Sequence, residues 1–331
     1  AQHGCRPAVL SSVLGWDRLT CWVDLTPEHQ PGTYYRGSVP EMPEVQAHCE
    51  RMTEALAGAR LTAFRLINFA GLKTFDPPAD AAVGATLVAV ERHAKSLILC
   101  FDNDISHVVH LMQGGRLRPD PKQSKKPRNG IARWVFDLGG QDNGSEPVAW
   151  LLTEAGTERK AGVWAVRGEA VGQDPLTDLG PDPTTISADE FAAAIGAHSR
   201  RLHGVLRTQG IVSGLGRMLA NEILFKAGLS PYANASKIDP EQMAALYDAT
   251  QRVVEAGTAH ERTLDDIGKS VDRPSKMHNR AGEPCPGRGD NGPCGDTVHT
   301  VEYRKYTVYY CPTEQTGGKI LADNTTSKFL K

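Results

Sequence analysis

Apolar positions first recur at helical spacing in "PEVQAHCERMTEALAG", residues 43–58. Val45, Cys49, Met52 and Leu56 fall on one face there, and Pro43 stands in the first turn. Short β-like runs follow: "LTAFRLIN", "TLVAVERHAKSLILCF", "ISHVVHLM", "ARWVFDL", "VAWLLT" and "GVWAV". Turn-forming stretches such as "DNDIS" and "GGQDNGSEP" separate them, and so many short strands at close intervals predict a β-sandwich or barrel. A Pro/Gly/Asp-rich joint, "GQDPLTDLGPDPTT", then ends the β pattern. Helices are predicted beyond it. "SADE" at 187–190 has the form of a capping box before "FAAAIGAH", and further helices are expected over 200–208, 217–227 and 240–256. Two more β-like runs, "DTVHTVEY" and "YTVYYC", lie in a Gly- and Cys-rich tail. No internal repeat is visible, and residues 1–38 show no element with both a start and a stop.

The expected layout is therefore α+β and multidomain. An N-terminal β-sandwich with flanking helices spans 39–171, a linker 172–186, a helical domain 187–275, and a zinc-ribbon-like hairpin 276–331. With 331 residues the chain has room for two domains with cores of their own. Hydrophobic content of 40% and charged content of 23% are those of a water-soluble domain. No run of about 18 apolar residues exists to span a bilayer. The first residues also lack a signal peptide's basic start and apolar centre, so a cytoplasmic protein is expected. A net charge of −2 gives no general attraction to nucleic acid. Local charge differs: "KQSKKPR" at 122–128 carries four cations and no anion, and "YRKY" at 303–306 sets two between tyrosines. The first cluster reads most simply as a solvated loop.

Seven scattered cysteines do not form a disulfide framework. Cys100, within "SLILCF", reads as a small buried hydrophobe. Cys285, Cys294 and Cys311 flank the predicted terminal hairpin as zinc-ribbon ligands do. Their spacing is irregular, since eight residues separate the first two where about two to four are usual. Where a fourth cysteine would fall stands Glu314, with His299 as the alternative ligand; an empty site is the remaining reading. Before the 217–227 helix, "SGLG" places Gly214 and Gly216 in a tight turn, with backbone N–H groups free for an anion such as a phosphate. A purely structural turn explains the same residues.

Four stretches, in order, resemble the formamidopyrimidine-DNA glycosylase / endonuclease VIII family of bacterial helix–two-turns–helix DNA glycosylases. "VPEMPEVQ" is similar to the family's "MPELPEVE" start, and "ERHAKSLIL" to its "RRAKYLLL" strand. "HLMQGGRLR" is similar to "HLGMSGSLR", and "SGLGRMLANEILFKAGLSP" to "AGIGNIYADEALFLAGIHP". The tail looks like the family's zinc finger: 16 residues separate Cys294 from Cys311, and "TGGKILAD" follows. Val39 then occupies the initiator position. A GTG codon reads as Met at a start and as Val inside a frame, so residues 1–38 are expected to be a non-native upstream extension.

The resemblance implies a bifunctional DNA glycosylase and abasic-site lyase of base excision repair. It would be a bacterial, nucleoid-associated enzyme that works as a monomer on double-stranded DNA with oxidised bases or abasic sites. It implies structural Zn2+ and no organic cofactor. Pro40 would be the nucleophile, forming a Schiff base with C1′ and cleaving the strand by β/δ-elimination. A free α-amino group has a pKa near 8, but behind Val39 the Pro40 nitrogen is a tertiary amide with no basic lone pair. Glu41 would be the general acid/base and Lys95 a catalytic strand lysine. Glu44 and Glu222 would be supporting acids, Glu44 alternatively capping its helix. Gln113 would fill the gap left by the displaced nucleotide. Gly216 and Arg217 would contact DNA, as would Arg304 and Lys305 of the finger.

Three departures qualify the picture. Arg217 replaces a phosphate-binding Asn, and Tyr306 stands where the finger has an Arg. The segment before the finger lacks the family's longer "GGTTLRDF" loop, which leaves oxidised pyrimidines at least as well supported as purines. Two other functions remain: a non-catalytic damaged-DNA-binding protein, and a zinc-ribbon module for protein contacts.

Overall fold

A computed structural model describes residues 39–139, 146–155, 159–267, 273–289, 292–303 and 306–322. All described residues belong to one compact unit within Gly37–Lys331. The proposed extension, 1–38, lies outside them, as do Arg304 and Lys305.

The sandwich is two antiparallel four-stranded sheets. One has the order β1 (Arg60–Leu66), β6 (Gly130–Asp137), β7 (Val148–Glu154), β5 (Gly115–Pro119). The other runs β2 (Leu87–His93), β3 (Ser96–Phe101), β4 (Ile105–His110), β8 (Gly162–Arg167). The run read as one stretch, 86–101, is thus two strands, with His93 opposite Ser96 across a turn at Ala94 and Lys95. Ala94 has φ 54, a left-handed conformation that its side chain gives no sequence signal for.

Helix α1 (Met42–Leu56) joins both halves of the molecule. Val45, Cys49, Met52 and Leu56, the face read from the sequence, pack into the sandwich core with Leu97, Trp134 and Val163. Met42, in the first turn, instead packs among Val205, Leu215, Leu219 and Ile223 of the helical core. One helix start is therefore held by two cores. That core comprises α2 (Ala188–Gly196), α3 (Leu202–Leu206), α4 (Arg217–Ala227) and α5 (Pro240–Arg262). Ser187 and Glu190 form the expected capping box, and α5 continues six residues beyond the predicted 256.

The terminal hairpin is β9 (His299–Tyr303) and β10 (Tyr306–Tyr310), followed by α6 (Pro312–Thr316). It docks on α4: Phe225 packs with Met277, Cys285, Val298 and Cys311. The Gln315 amide bridges the Cys311 N–H and the Leu229 carbonyl, at 2.9 Å each. Every hydrophobic cluster among the described residues is built from Met42 onward. No described helix is long and apolar enough to cross a membrane.

Candidate functional site

Pro40 is buried immediately before α1. The next residue, Glu41, is 3% exposed, and its carboxylate lies at the N-terminus of α4. Oε2 accepts from the N–H groups of Gly216 (2.9 Å) and Leu219 (3.1 Å), and Oε1 from that of Met218 (3.0 Å). The amides the sequence offers to a phosphate, that of Gly216 included, are therefore taken by an internal carboxylate in this structure. Helix N-termini favour a negative group for the same reason they favour phosphate. The two glycines serve different needs. Gly214 has φ +86, and its carbonyl accepts from the Met42 N–H at 3.1 Å. At Gly216 the need is space: a Cβ there would stand 2.2 Å from Glu41 Oε1.

Glu44 supports this arrangement from one turn on, with Oε2 accepting from the Glu41 N–H at 2.9 Å. Its other oxygen pairs with the buried guanidinium of Arg273. Burial is the main cause that pushes the Glu44 carboxyl up to about 7; Arg273 opposes it, and the charges of Glu41 and Glu261 add to it. A raised acid contributes stability that is fully present below its ordinary value of 4.5 and is lost progressively as pH rises from there through about 7. Glu44→Gln is expected to remove that pH-dependent component. Thermal unfolding of both proteins between pH 5 and 8 checks it, and parallel curves would contradict the assignment.

Lys95 reaches the same region from the β2–β3 turn rather than from within a strand. Burial lowers its pKa, opposed by the carboxylates of Glu41 and Glu44 and assisted by Arg207 and Arg217. His110 lies beside it: burial and then the Lys95 charge push this imidazole down to about 4. The structure thus brings Pro40, Glu41, Glu44, Lys95 and Arg217 together. Arg207, His110, Arg273 and His278 stand among them; His110 opens the family-like stretch "HLMQGGRLR", and no such stretch marks the other three.

Glu222 has a different place. Its carboxylate accepts from the N–H groups of Lys276 (2.8 Å), Met277 (3.0 Å) and His278 (2.9 Å), fastening the segment before the finger to α4. Burial raises its pKa against those three hydrogen bonds. Gln113 is exposed in the turn between β4 and β5, and Lys122, Lys125, Lys126 and Arg128 are exposed between β5 and β6. Tyr306 is not a bare replacement for an arginine. Arg207 stacks on its ring 4.0 Å from the centroid, Arg217 lies at 5.6 Å, and Tyr303 stacks at 4.5 Å.

The Sγ atoms of Cys285, Cys294 and Cys311 lie within 4.8 Å of one another, the last two 3.5 Å apart. Thiolates on one tetrahedral zinc stand about 3.8 Å apart, from Zn–S bonds of about 2.3 Å. The donor set therefore fits a thiophilic metal ion. Glu314, the expected fourth ligand, is outside the group, and its carboxylate faces Arg288 Nε at 3.5 Å. His299 is likewise outside it, 3.9 Å from Asp296.

Two family models match the chain: the formamidopyrimidine-DNA glycosylase N-terminal domain over residues 39–146, and the formamidopyrimidine-DNA glycosylase H2TH domain over 179–266. A formamidopyrimidine-DNA glycosylase of Moorella thermoacetica is 30% identical over 260 residues, 75% of this chain and 91% of that protein. The chain belongs to the formamidopyrimidine-DNA glycosylase family. A Mycobacterium tuberculosis member, described as an uncharacterized formamidopyrimidine-DNA glycosylase-like protein, is 36% identical over 161 residues, 46% of this chain and 94% of that one. The crystal structure of Thermus thermophilus MutM (Fpg) superposes with a TM-score of 0.70 at 23% identity, covering 85% of this chain and 100% of its own. Lactococcus lactis Fpg complexed with abasic-site DNA gives 0.69 at 17% identity, covering 83% and 99%. These likenesses establish the formamidopyrimidine-DNA glycosylase fold, with its sandwich and helix–two-turns–helix domain. The N-terminal family model begins at Val39, the residue before Pro40.

Proposed function

We propose that the chain is a bifunctional DNA glycosylase and abasic-site lyase of base excision repair, active when Pro40 is its first residue. The observation that carries this reading is the Glu41 carboxylate, fixed by three backbone N–H groups next to Pro40. A free Pro40 amine forms a bond to C1′ while the glycosidic electron pair leaves with the damaged base. The proton of the attacking amine passes through the Glu41 carboxylate to the ring oxygen as the sugar opens to an iminium ion, and water protonates the departing base. Loss of the 2′ proton expels the 3′ phosphate, and a second elimination expels the 5′ phosphate. Lys95 adds positive charge beside the two acids, and Glu44 holds Glu41 in place. Glu222 acts through the segment it fastens.

Double-stranded DNA with oxidised bases or abasic sites is the substrate. Because Glu41 occupies the Gly216 amide, the phosphate contact falls to the Arg217 side chain, with Arg304 and Lys305 as further cationic contacts and Gln113 as the gap-filling residue. Zn2+ held by Cys285, Cys294 and Cys311 braces the finger and takes no part in the chemistry. Metal analysis is expected to find one zinc per chain, retained in Glu314→Ala and lost in Cys285→Ser with a lower melting temperature. Loss of zinc in Glu314→Ala would instead make that residue a ligand.

One test is incision of a duplex bearing a single abasic site by a chain beginning at Pro40. Products carrying phosphate at both sides of the gap support β/δ-elimination. A second reading, damaged-DNA binding without chemistry, draws on the amide-blocked Pro40 nitrogen; tight binding with no incision by the short chain would establish it.

A further inference from the structure

Arg207 directly follows α3, and its guanidinium carbon lies 4.0 Å from the centroid of the Tyr306 ring on the hairpin. That ring is itself held. Tyr303 stacks on it at 4.5 Å and 10°, and the buried His203 stacks at 5.9 Å and 21°. Tyr303 is fixed in turn: its hydroxyl accepts from Arg201 Nη1 at 2.8 Å, and Arg201 sits 3.9 Å over the Tyr232 ring. This aromatic ladder gives Arg207 a firm surface to rest on, but nothing for its N–H groups. Among the described residues no carboxylate pairs with Arg207, and its Nη1 is closed off from solvent with no hydrogen-bond partner. A guanidinium carries five donors and buried donors are nearly always satisfied, so the position calls for an acceptor from outside the chain.

The charge around Arg207 says which acceptor. Arg217 lies 5.6 Å from the same ring, and the charges of both arginines are felt at Lys95 and at His203. The acids beside Lys95 do not neutralise this group, because Glu41 is engaged by the α4 amides and Glu44 by Arg273. His203 adds no cation: burial, and after it the Arg207 charge, push its imidazole down to about 3. What is wanted is an anion. A guanidinium resting over an aromatic ring keeps the N–H groups of its edge for an acceptor, and that planar fork matches two oxygens of a phosphodiester. We propose that Arg207 binds a backbone phosphate of the bound DNA, with the Tyr306 ring as the platform that orients it. This rests on the DNA glycosylase reading above. It deepens that reading, since the cation comes from the end of α3, outside the family-like stretches, and the hairpin tyrosine becomes a positioning residue in place of a lost contact.

The test uses the chain beginning at Pro40, whose hydrophobic clusters are complete without the preceding residues. Its affinity for a duplex carrying a tetrahydrofuran abasic analogue, which is bound without being cut, is measured over a series of KCl concentrations. Each phosphate contact steepens the plot of log affinity against log salt by about 0.9. Arg207→Met is expected to lower affinity about tenfold to a hundredfold, the size of one hydrogen bond to a charged group, and to flatten the slope by about 0.9. Tyr306→Leu is expected to cost about threefold to tenfold, the size of a cation–π contact, while Tyr306→Phe keeps the ring and matches the parent. An unchanged slope in folded Arg207→Met overturns the phosphate contact, whatever the affinity; should that variant fail to fold, Arg207→Gln is read in the same way. Equal losses in Tyr306→Leu and Tyr306→Phe overturn the platform. Incision of a true abasic-site duplex by the unaltered chain is scored separately. Its absence overturns the lyase reading while the phosphate contact is still decided by the slope, and absence of any binding overturns the DNA reading and this proposal with it.

Discussion

Replacing Glu41 by glutamine is expected to slow incision of abasic DNA by about a hundredfold to ten-thousandfold, the usual contribution of a positioned general acid/base. It is also expected to lower stability by about 1–3 kcal/mol. Both effects follow from one set of hydrogen bonds. The amide oxygen of the introduced side chain can still accept from the Gly216 and Leu219 N–H groups, the two that now share Oε2. Its NH2 group then faces the Met218 N–H, donor against donor, in place of a 3.0 Å hydrogen bond. Single-turnover incision and thermal unfolding measure the two effects separately. Activity within about threefold of the parent, far from the loss expected of a general acid/base, would remove Glu41 from the chemistry and leave it as a cap for α4.

Gly216→Ala is expected to approach the same catalytic loss without touching an ionisable residue. Gly216 has φ −125, an extended conformation that alanine adopts freely, so backbone strain is not the cause. The added Cβ would lie 2.2 Å from Oε1 and 2.3 Å from Cδ of Glu41, and the carboxylate must leave its place. Overpacking of this kind costs about 1–3 kcal/mol, and the N–H groups of α4 lose their partner at the same time. DNA binding retained with incision lost identifies displacement of Glu41 as the cause. Loss of binding with unchanged incision at saturating DNA would show instead that the Gly216 amide contacts phosphate after all.

What the sequence disclosed and what it hid divide along a physical line. Helix α4 runs over 217–227 as expected, because Gly216 and Gly228 punctuate it at both ends. The capping box at Ser187 and the apolar face of α1 are local patterns of the same sort, and the strand runs are short with strong turns between them. Lys95 is harder to place: Ala94 turns the chain at φ 54 with no Gly or Asn to announce it, so two strands read as one. Hidden altogether are pairings between distant residues. Glu41 meets Gly216 across 175 positions, and Glu44 meets Arg273 from a segment with no motif. Each end alone has an ordinary local role, a charged residue at a helix start or a glycine in a turn. The third cysteine points towards a metal cluster, yet Glu314 faces Arg288, which spacing alone cannot reveal.

The central claim is that the amine of Pro40 attacks DNA. Borohydride trapping on an abasic-site duplex tests it most directly, comparing a chain that begins at Pro40 with the full 331-residue chain and locating the adduct by peptide mass. The account predicts a reduced imine on Pro40 in the short chain and none in the full one. An adduct on Lys95 or another lysine in the short chain, or a folded short chain that binds the duplex and traps nothing, would contradict it.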